Sequence, residues 1–331
     1  MSSGTLVLTR RDVVDLLTMK ECIDAVERAF RLHAEGRTIA PGVLAAHVDG
    51  GAFHVKTGGF AIGDRSYFAT KVNANRPGNR ERFGLPTIQG VIALFDAGNG
   101  SPLAVIDSGE ITSIRTAAAT AVAARYLARA DSAVVTICGC GVQGRDQLRA
   151  LACVRQIRSV HAFDTDSERA ESYAATMSGE LGIDVRAARD LPRATRESDI
   201  CVTCTTSKRA ILHPGDVAPG SFVAAVGADN PEKQEIDPAL LASSVVVADV
   251  LEQCATIGDL YHAIDAGVMT RADVRAELGE VVAGRKPGRV SAEEIIVFDS
   301  TGTALQDVAA AALVYERAIA AGRGMRTELT A

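Results

Sequence analysis

Ala133-Val-Val-Thr-Ile-Cys138 runs into Gly139-Cys-Gly141-Val-Gln-Gly144, and the chain later reads Val160-His-Ala-Phe-Asp164. The first run has strand length and meets a glycine turn. Leu148, Leu151 and Val154 then recur at three-residue steps, a helical spacing, before a second apolar run ends in an acid. Strand, glycine turn, helix and strand in this order are the context in which G-x-G-x-x-G binds a dinucleotide. Gly139 permits the tight turn, Gly141 lets the backbone approach a pyrophosphate, and Gly144 lets helix and strand pack closely. The free N–H groups at the helix start hold phosphate oxygens. Asp164 stands about 20 residues further on, where a carboxylate bonds both ribose hydroxyls of NAD. A 2′-phosphate there would meet a like charge, so the reading favours NAD(H) over NADP(H).

The bulk composition fits such a protein. A chain of 331 residues suits about two domains, each with its own core. Hydrophobic residues make up 47% and charged residues 23%, as in ordinary globular proteins. The net charge of −6 argues against nucleic acid as the main partner. Charges interrupt every apolar run before membrane-spanning length, and the first residues lack a signal-peptide layout, so a cytoplasmic enzyme is expected. The seven cysteines need no disulfide in a reducing compartment. Cys201 and Cys204 have C-x-x-C spacing, but no second pair matches it, so no metal site is expected.

Along the chain, 9–17 and 19–35 read as amphipathic helices with capping-box starts at Thr9 and Thr18. Strand-like runs follow at 43–48, 52–56, 67–72 and 87–95, and 102–106 returns as a hairpin partner. Thr57-Gly58-Gly59 and 73–82 read as surface loops. A helix rich in small residues is predicted over 111–129 with Thr112 as its N-cap. That would place Arg115 in the first turn, against the helix dipole, where it has a use if an anion binds both. Strands are expected at 185–188, 200–203, 222–226, 245–248 and 295–298. Polar residues at three of their carboxyl ends are site candidates, because ligands of doubly wound sheets sit there. The boundaries read as a Rossmann dinucleotide-binding domain over 130–302 and a discontinuous α+β domain over 1–129. The alanine-rich last helix, within 303–331, returns to that second domain, and the fold class is α/β.

Five stretches together resemble the ornithine cyclodeaminase/mu-crystallin family. They are Gly84-Leu-Pro-Thr-Ile-Gln-Gly90, Ile111-Thr-Ser-Ile-Arg-Thr-Ala-Ala118, Gly139-Cys-Gly-Val-Gln143, Val226-Gly-Ala-Asp-Asn-Pro-Glu-Lys233 and Val297-Phe-Asp-Ser-Thr-Gly302. The resemblance implies an NAD(P) Rossmann domain and a split domain that binds substrate and pairs subunits into a homodimer. It implies that Lys71 and Arg115 face the substrate carboxylate and that Asp229 moves a proton, with Lys71 beside it in catalysis. Thr301 would also touch substrate. Thr87, Arg115, Val142, Gln143, Asp164, Thr205, Val226, Gly227, Lys233 and Ser300 would join the glycines around the cofactor. Two departures stand out. Cyclodeaminases carry a glutamate in the strand matching 52–56, which here reads Ala-Phe-His-Val-Lys56. Many members carry an arginine soon after a proline near 41, which is missing here, so Lys56 becomes a candidate second carboxylate holder. The Lys56-Thr-Gly-Gly-Phe60 run looks more like the reductase branch, particularly iminosuccinate reductases, and the stretch 278–302 looks like the alanine dehydrogenase and reductase branch.

The resulting expectation is an NAD-dependent oxidoreductase that reduces a small 2-imino acid or cyclic ketimine carboxylate, or runs the reverse. The site would lie where the two domains meet. Two alternatives follow from the resemblance: a cyclodeaminase-type lyase that recycles bound NAD, and a non-catalytic, crystallin-like binding protein.

Overall fold

A computed structural model describes residues 4–329. Residues 1–3, 330 and 331, which the sequence reading placed in the α+β domain, lie outside them. The chain divides into two compact units. One takes the described residues up to Arg115 and those from Thr303 onward, and the other takes Thr116–Gly302.

In the first unit, the strand Arg65–Asn75 buries Tyr67, Ala69, Lys71 and Asn73, every second residue. That period of two marks a sheet packed on one face. The sheet has seven strands in the order Met325–Thr327, Thr5–Leu8, Pro102–Asp107, Ile88–Asp96, Arg65–Asn75, Gly51–Ile62 and Thr38–Val48. Pairing is antiparallel except between Thr5–Leu8 and Pro102–Asp107. The last helix, Ala304–Ala321, covers the packed face and packs in turn against Met19–Ala34. The opposite face carries an apolar row. Leu44 pairs with Val55, Val55 with Val72, and Val72 with Val91. Leu44 is 64% and Val91 46% exposed.

Three sequence readings change here. Thr57-Gly58-Gly59 is not a surface loop but the middle of the strand Gly51–Ile62. A Cβ on Gly59 would stand 2.5 Å from the Tyr67 carbonyl, and one on Gly58 3.1 Å from Ala304 Cβ, so the glycines serve close packing inside the sheet. Residues 73–75 finish the strand Arg65–Asn75, and Asn79–Phe83 forms a short helix. The small-residue helix spans Ser108–Leu127, beginning directly after its strand. The Asp107 carboxylate accepts the Gly109 N–H at 3.0 Å, so Thr112 is no N-cap and instead accepts from Asn73 Nδ2 at 3.2 Å. Arg115 therefore sits in the body of the helix, outside the reach of its dipole terminus.

The second unit is a wholly parallel eight-stranded sheet. Its order is Ala276–Glu277, Val245–Ala248, Ile296–Asp299, Phe222–Ala225, Ile200–Thr203, Val134–Cys138, Ser159–Phe163 and Asp184–Ala187. Ile200–Thr203, Phe222–Ala225 and Ile296–Asp299 are buried at every position, as central strands covered on both faces must be. Strand order reverses between Val134–Cys138 and Ile200–Thr203, which creates a switch point at their carboxyl ends. The edge strand Ala276–Glu277 and a separate two-stranded pair, Lys208–Leu212 with Gln234–Ile236, were not legible from periodicity.

At the switch point Gly139 has φ +103, a conformation that side chains rarely adopt. A Cβ on Gly144 would stand 2.2 Å from the Gly139 carbonyl oxygen. Gly144→Ala should therefore lower the thermal unfolding midpoint, at a cost of roughly 1–3 kcal/mol for overpacking. An unchanged midpoint in calorimetry would show that the turn relaxes freely.

Candidate active site

Because every strand of the second unit runs the same way, the loops after them gather at one edge. There stand the turn 139–144 after Val134–Cys138, Asp164 after Ser159–Phe163, and Thr205 after Ile200–Thr203. Val226, Gly227 and Asp229 follow Phe222–Ala225, and Ser300 and Thr301 follow Ile296–Asp299. The helix Val142–Ala152 starts from Gly141, where no side chain caps it. A Cβ on Gly141 would meet nothing within 4 Å, and Val142 is 69% exposed. Orphan N–H donors with open space before them fit a phosphate or pyrophosphate group.

Asp164 accepts the Cys140 N–H at 2.9 Å and the Asp166 N–H at 3.0 Å, which fixes its carboxylate beside the glycine turn. Arg169 lies 3.9 Å from it. Gln143 accepts from Gln147 Nε2 at 3.0 Å. Asp229 is 41% exposed on its side chain and accepts from Lys233 Nζ at 2.7 Å, so these two expected site residues form an ion pair. The Ser300 and Thr301 hydroxyls both donate to Asp249, each at 3.2 Å, which gives both side chains a partner within the fold.

Beneath this edge lies a set of buried carboxyls that sequence reasoning missed. Glu235 accepts the N–H groups of Thr205 at 2.6 Å and Gly227 at 2.9 Å, and so ties together two of the loops that carry candidate residues. A Cβ on Gly227 would stand 2.4 Å from Glu235 Oε1, so the close approach requires glycine. Asp259 accepts from the N–H groups of Glu235 and Ile236, and Asp299 from those of Asp259 and Leu260. Asp249 accepts the Gly302 N–H at 2.7 Å. Burial raises the Glu235 carboxyl above its ordinary range. Burial, helped by Glu235, pushes Asp259 up to about 7, and burial with Asp259 raises Asp299 well above its usual value. Glu235 sits in a three-residue strand between turn residues, too short for any periodic signal.

The first unit holds the other candidates. Lys71 and Arg115 are 2% and 4% exposed, and both reach Asp307 on the last helix. Lys71 Nζ lies 2.8 Å from the Asp307 carboxylate and Arg115 Nε 2.9 Å from it. Arg115 Nη1 also donates to Gln306 Oε1 at 2.6 Å. Lys56 is the cross-strand neighbour of Lys71 on the same face. Like charges side by side in a sheet are unfavourable, so this face carries excess positive charge by construction. Burial, then Arg115, lowers Lys71 to about 7, while Asp307 acts the other way. Burial pushes the Asp307 carboxyl up, but Arg115, Lys71 and Lys56 outweigh it and hold it below its ordinary value. Such a cluster of donors suits a carboxylate. Thr87 lies in the turn before Ile88–Asp96, its carbonyl accepting the Arg76 N–H at 2.8 Å. Among the described residues no group of acids, histidines and cysteines could hold a metal ion, and no helix is long and apolar enough to cross a membrane.

Residues 3–322 match the family model described as the ornithine cyclodeaminase/mu-crystallin family. An archaeal alanine dehydrogenase dimer with bound NAD is 38% identical, with a TM-score of 0.94 over 99% of this chain and 100% of that one. The Δ1-pyrroline-2-carboxylate reductase of Thermococcus litoralis, in complex with NADH and L-proline, is 34% identical, with a TM-score of 0.93 over 98% and 100%. The iminosuccinate reductase of Paracoccus denitrificans, in complex with NAD+, is 32% identical, with a TM-score of 0.91 over 99% and 100%.

The buried carboxyls make stability depend on pH. For Asp259 the folded-state value, about 7, lies above the ordinary carboxylate value, so the folded state holds the extra proton. Its contribution is fully present below about pH 4 and is lost as pH rises toward 7, at up to about 1.4 kcal/mol per pH unit for one proton. Asp259→Asn keeps an oxygen for both N–H groups, which share Oδ1. Unfolding midpoints of this variant relative to the parent should improve from pH 5 to pH 8, and a constant difference would refute the assignment.

Proposed function

The chain belongs to the ornithine cyclodeaminase/mu-crystallin family, and on that premise we propose that it is an NAD-dependent oxidoreductase acting at a C–N bond. It reduces a small 2-imino acid or ketimine carboxylate to the amino acid, or runs the reverse. The observation that carries this reading is the buried Lys71–Arg115 pair, a carboxylate-binding arrangement in a chain that also has an uncapped glycine turn. Gly139, Gly141, Val142, Gln143 and Gly144 hold the dinucleotide phosphates, and Asp164 takes the ribose hydroxyls. Thr87, Thr205, Val226, Gly227, Lys233 and Ser300 complete that cofactor site, with Thr301 on the substrate. Bound there, NAD(H) supplies or accepts the hydride.

Lys71 and Arg115 orient the substrate by its carboxylate, with Lys56 available to a second one. Asp229 carries the proton at the substrate nitrogen. A diamino acid such as ornithine needs an acid near its second amine. The strand Gly51–Ile62 contains none and presents Lys56 instead, which favours reduction over cyclodeamination. All seven cysteines are free, which supports a reducing compartment and hence the cytoplasm.

The test follows NADH absorbance with 2-oxo acids plus ammonia or methylamine, and with cyclic imines. NADPH serves as comparison because Arg169 stands beside Asp164. Ornithine is assayed separately for ammonia release. Net NADH oxidation supports the reading; proline formation without it supports the lyase. Asp229→Asn should lower kcat by about 10²-fold or more, the contribution of a positioned acid–base group. NADH affinity should change little. Arg115→Ala should raise KM as well as lower kcat, since it removes a charge-assisted contact. Full turnover by Asp229→Asn, with chemistry rate-limiting, rules Asp229 out as proton carrier.

The row Leu44, Val55, Val72, Val91, with Phe53 40% exposed on the same face, supports a homodimer through the outer face of the seven-stranded sheet. Light scattering at micromolar concentration should give a dimer or a multiple of it. Leu44→Asp should shift the population toward monomer; a monomeric parent contradicts the pairing.

A further inference from the structure

Two residues of the cation cluster, Gln306 and Asp307, fall outside both the glycine turn and the family-like stretches. They occupy the first turn of Ala304–Ala321, each 1% exposed. Asp307 is an anion shared by two cations: Lys71 Nζ donates to it at 2.8 Å from a strand, and Arg115 Nε forms an ion pair with it at 2.9 Å from a helix. Gln306 takes Arg115 Nη1 at 2.6 Å, and its own Nε2 is a buried donor with no hydrogen-bond partner among the described residues. A buried donor beside two cations marks a place for an acceptor.

We propose that Asp307 is a positioning residue of the active site, holding Lys71 and Arg115 side by side in their charged forms as one clamp for the substrate carboxylate. The proposal rests on the reading that these two cations bind that carboxylate. Three charged groups act on Lys71. Lys56 faces it from the neighbouring strand and Arg115 from Ser108–Leu127, and Asp307 from the last helix. From Met19–Ala34 comes Cys22, near Arg115 and Asp307, whose thiol burial pushes up to about 12 and so keeps neutral. Asp307 is thus the anion among three cations. Lys71 titrates at about 7 with that anion present. It is charged below this value, so the clamp is complete on the acid side and weakens as pH rises through it. Without the Asp307 charge, the alkaline limb moves to lower pH.

The experiment measures kcat, KM and their pH profiles for the parent, Asp307→Asn and Asp307→Glu with an imino acid the parent reduces. NADH affinity is read by fluorescence, and pyruvate binding to the NADH-loaded protein by calorimetry. Asp307→Asn should raise KM about tenfold or more at pH 8, loosen pyruvate similarly and shift the alkaline limb of kcat/KM downward, with NADH affinity within about twofold. Acidification should recover part of the loss, and Asp307→Glu should return the limb toward the parent's position. A purely structural Asp307 would lower activity alike at every pH, so an unshifted limb with parental KM in Asp307→Asn overturns the proposal. If Asp307→Asn does not fold, Asp307→Glu decides: a raised KM and loosened pyruvate with parental kcat and NADH affinity support it, and an unchanged KM overturns it. A parent that turns over no imine but binds pyruvate, with binding weakened in Asp307→Asn, overturns the enzymatic reading alone. A parent that neither turns over imines nor binds pyruvate overturns both.

Discussion

Burying Lys71 and Arg115 together is tolerable because the Asp307 carboxylate lies between them. Two cations out of water repel each other and lose hydration, and a shared anion within 3 Å of both offsets part of each cost. The constraint reaches through the whole first unit. Lys71 and Asp307 are 236 positions apart in the chain, so the contact forms only when the last helix returns to the sheet built at the start. The glycines of Gly51–Ile62 and the alanines of the helix let that helix approach closely, as the 3.1 Å distance from a Gly58 Cβ to Ala304 indicates. Close approach at Gly58 brings the first turn of the helix to the cations, while Tyr67, Ile92 and Leu94 are buried elsewhere in the sheet.

The second unit solves a different problem. Loops at the carboxyl edge of a parallel sheet leave N–H groups inside the protein, and each needs an acceptor. Glu235, Asp259, Asp299 and Asp249 supply them, one acid after another. The consequence is that Glu235, Asp259 and Asp299 resist ionisation, since burial favours the proton at each and a neighbouring acid adds to it at Asp259 and Asp299. Their service is positional: Glu235 sets Thr205 and Gly227 relative to each other, and the Asp249 contacts do the same for Ser300 and Thr301.

Much was legible in the order of residues. Gly139 to Gly144 and Asp164 announced themselves because strand, turn, helix and strand are local patterns of period two and 3.6, with glycine where a Cβ cannot fit. The central strands, read at 200–203, 222–226 and 295–298, were visible as short apolar runs for the same reason and lie within one residue of the observed ones. Arg115, by contrast, was read in the wrong setting. Its placement at a helix start depended on where the helix begins, and Asp107, at the end of a strand, moved that start forward to Ser108. The loops read at 57–59 and 73–82 failed because glycine and asparagine mark turns only where no neighbouring strand or helix claims the backbone.

What the sequence determined by itself is therefore local: the glycine turn between strand and helix, the acid at the end of the next strand, and the short apolar runs of the parallel sheet. Only the tertiary structure decided the company the charged side chains keep. The Lys71–Asp307 contact, the Lys56–Lys71 adjacency, the Asp229–Lys233 pair and the Glu235 bridge depend on register, helix return and buried N–H groups. The physical reason is range. Steric and conformational preferences act between neighbours in the chain, whereas a buried charge is stabilised by whichever partner the completed fold brings within about 3 Å.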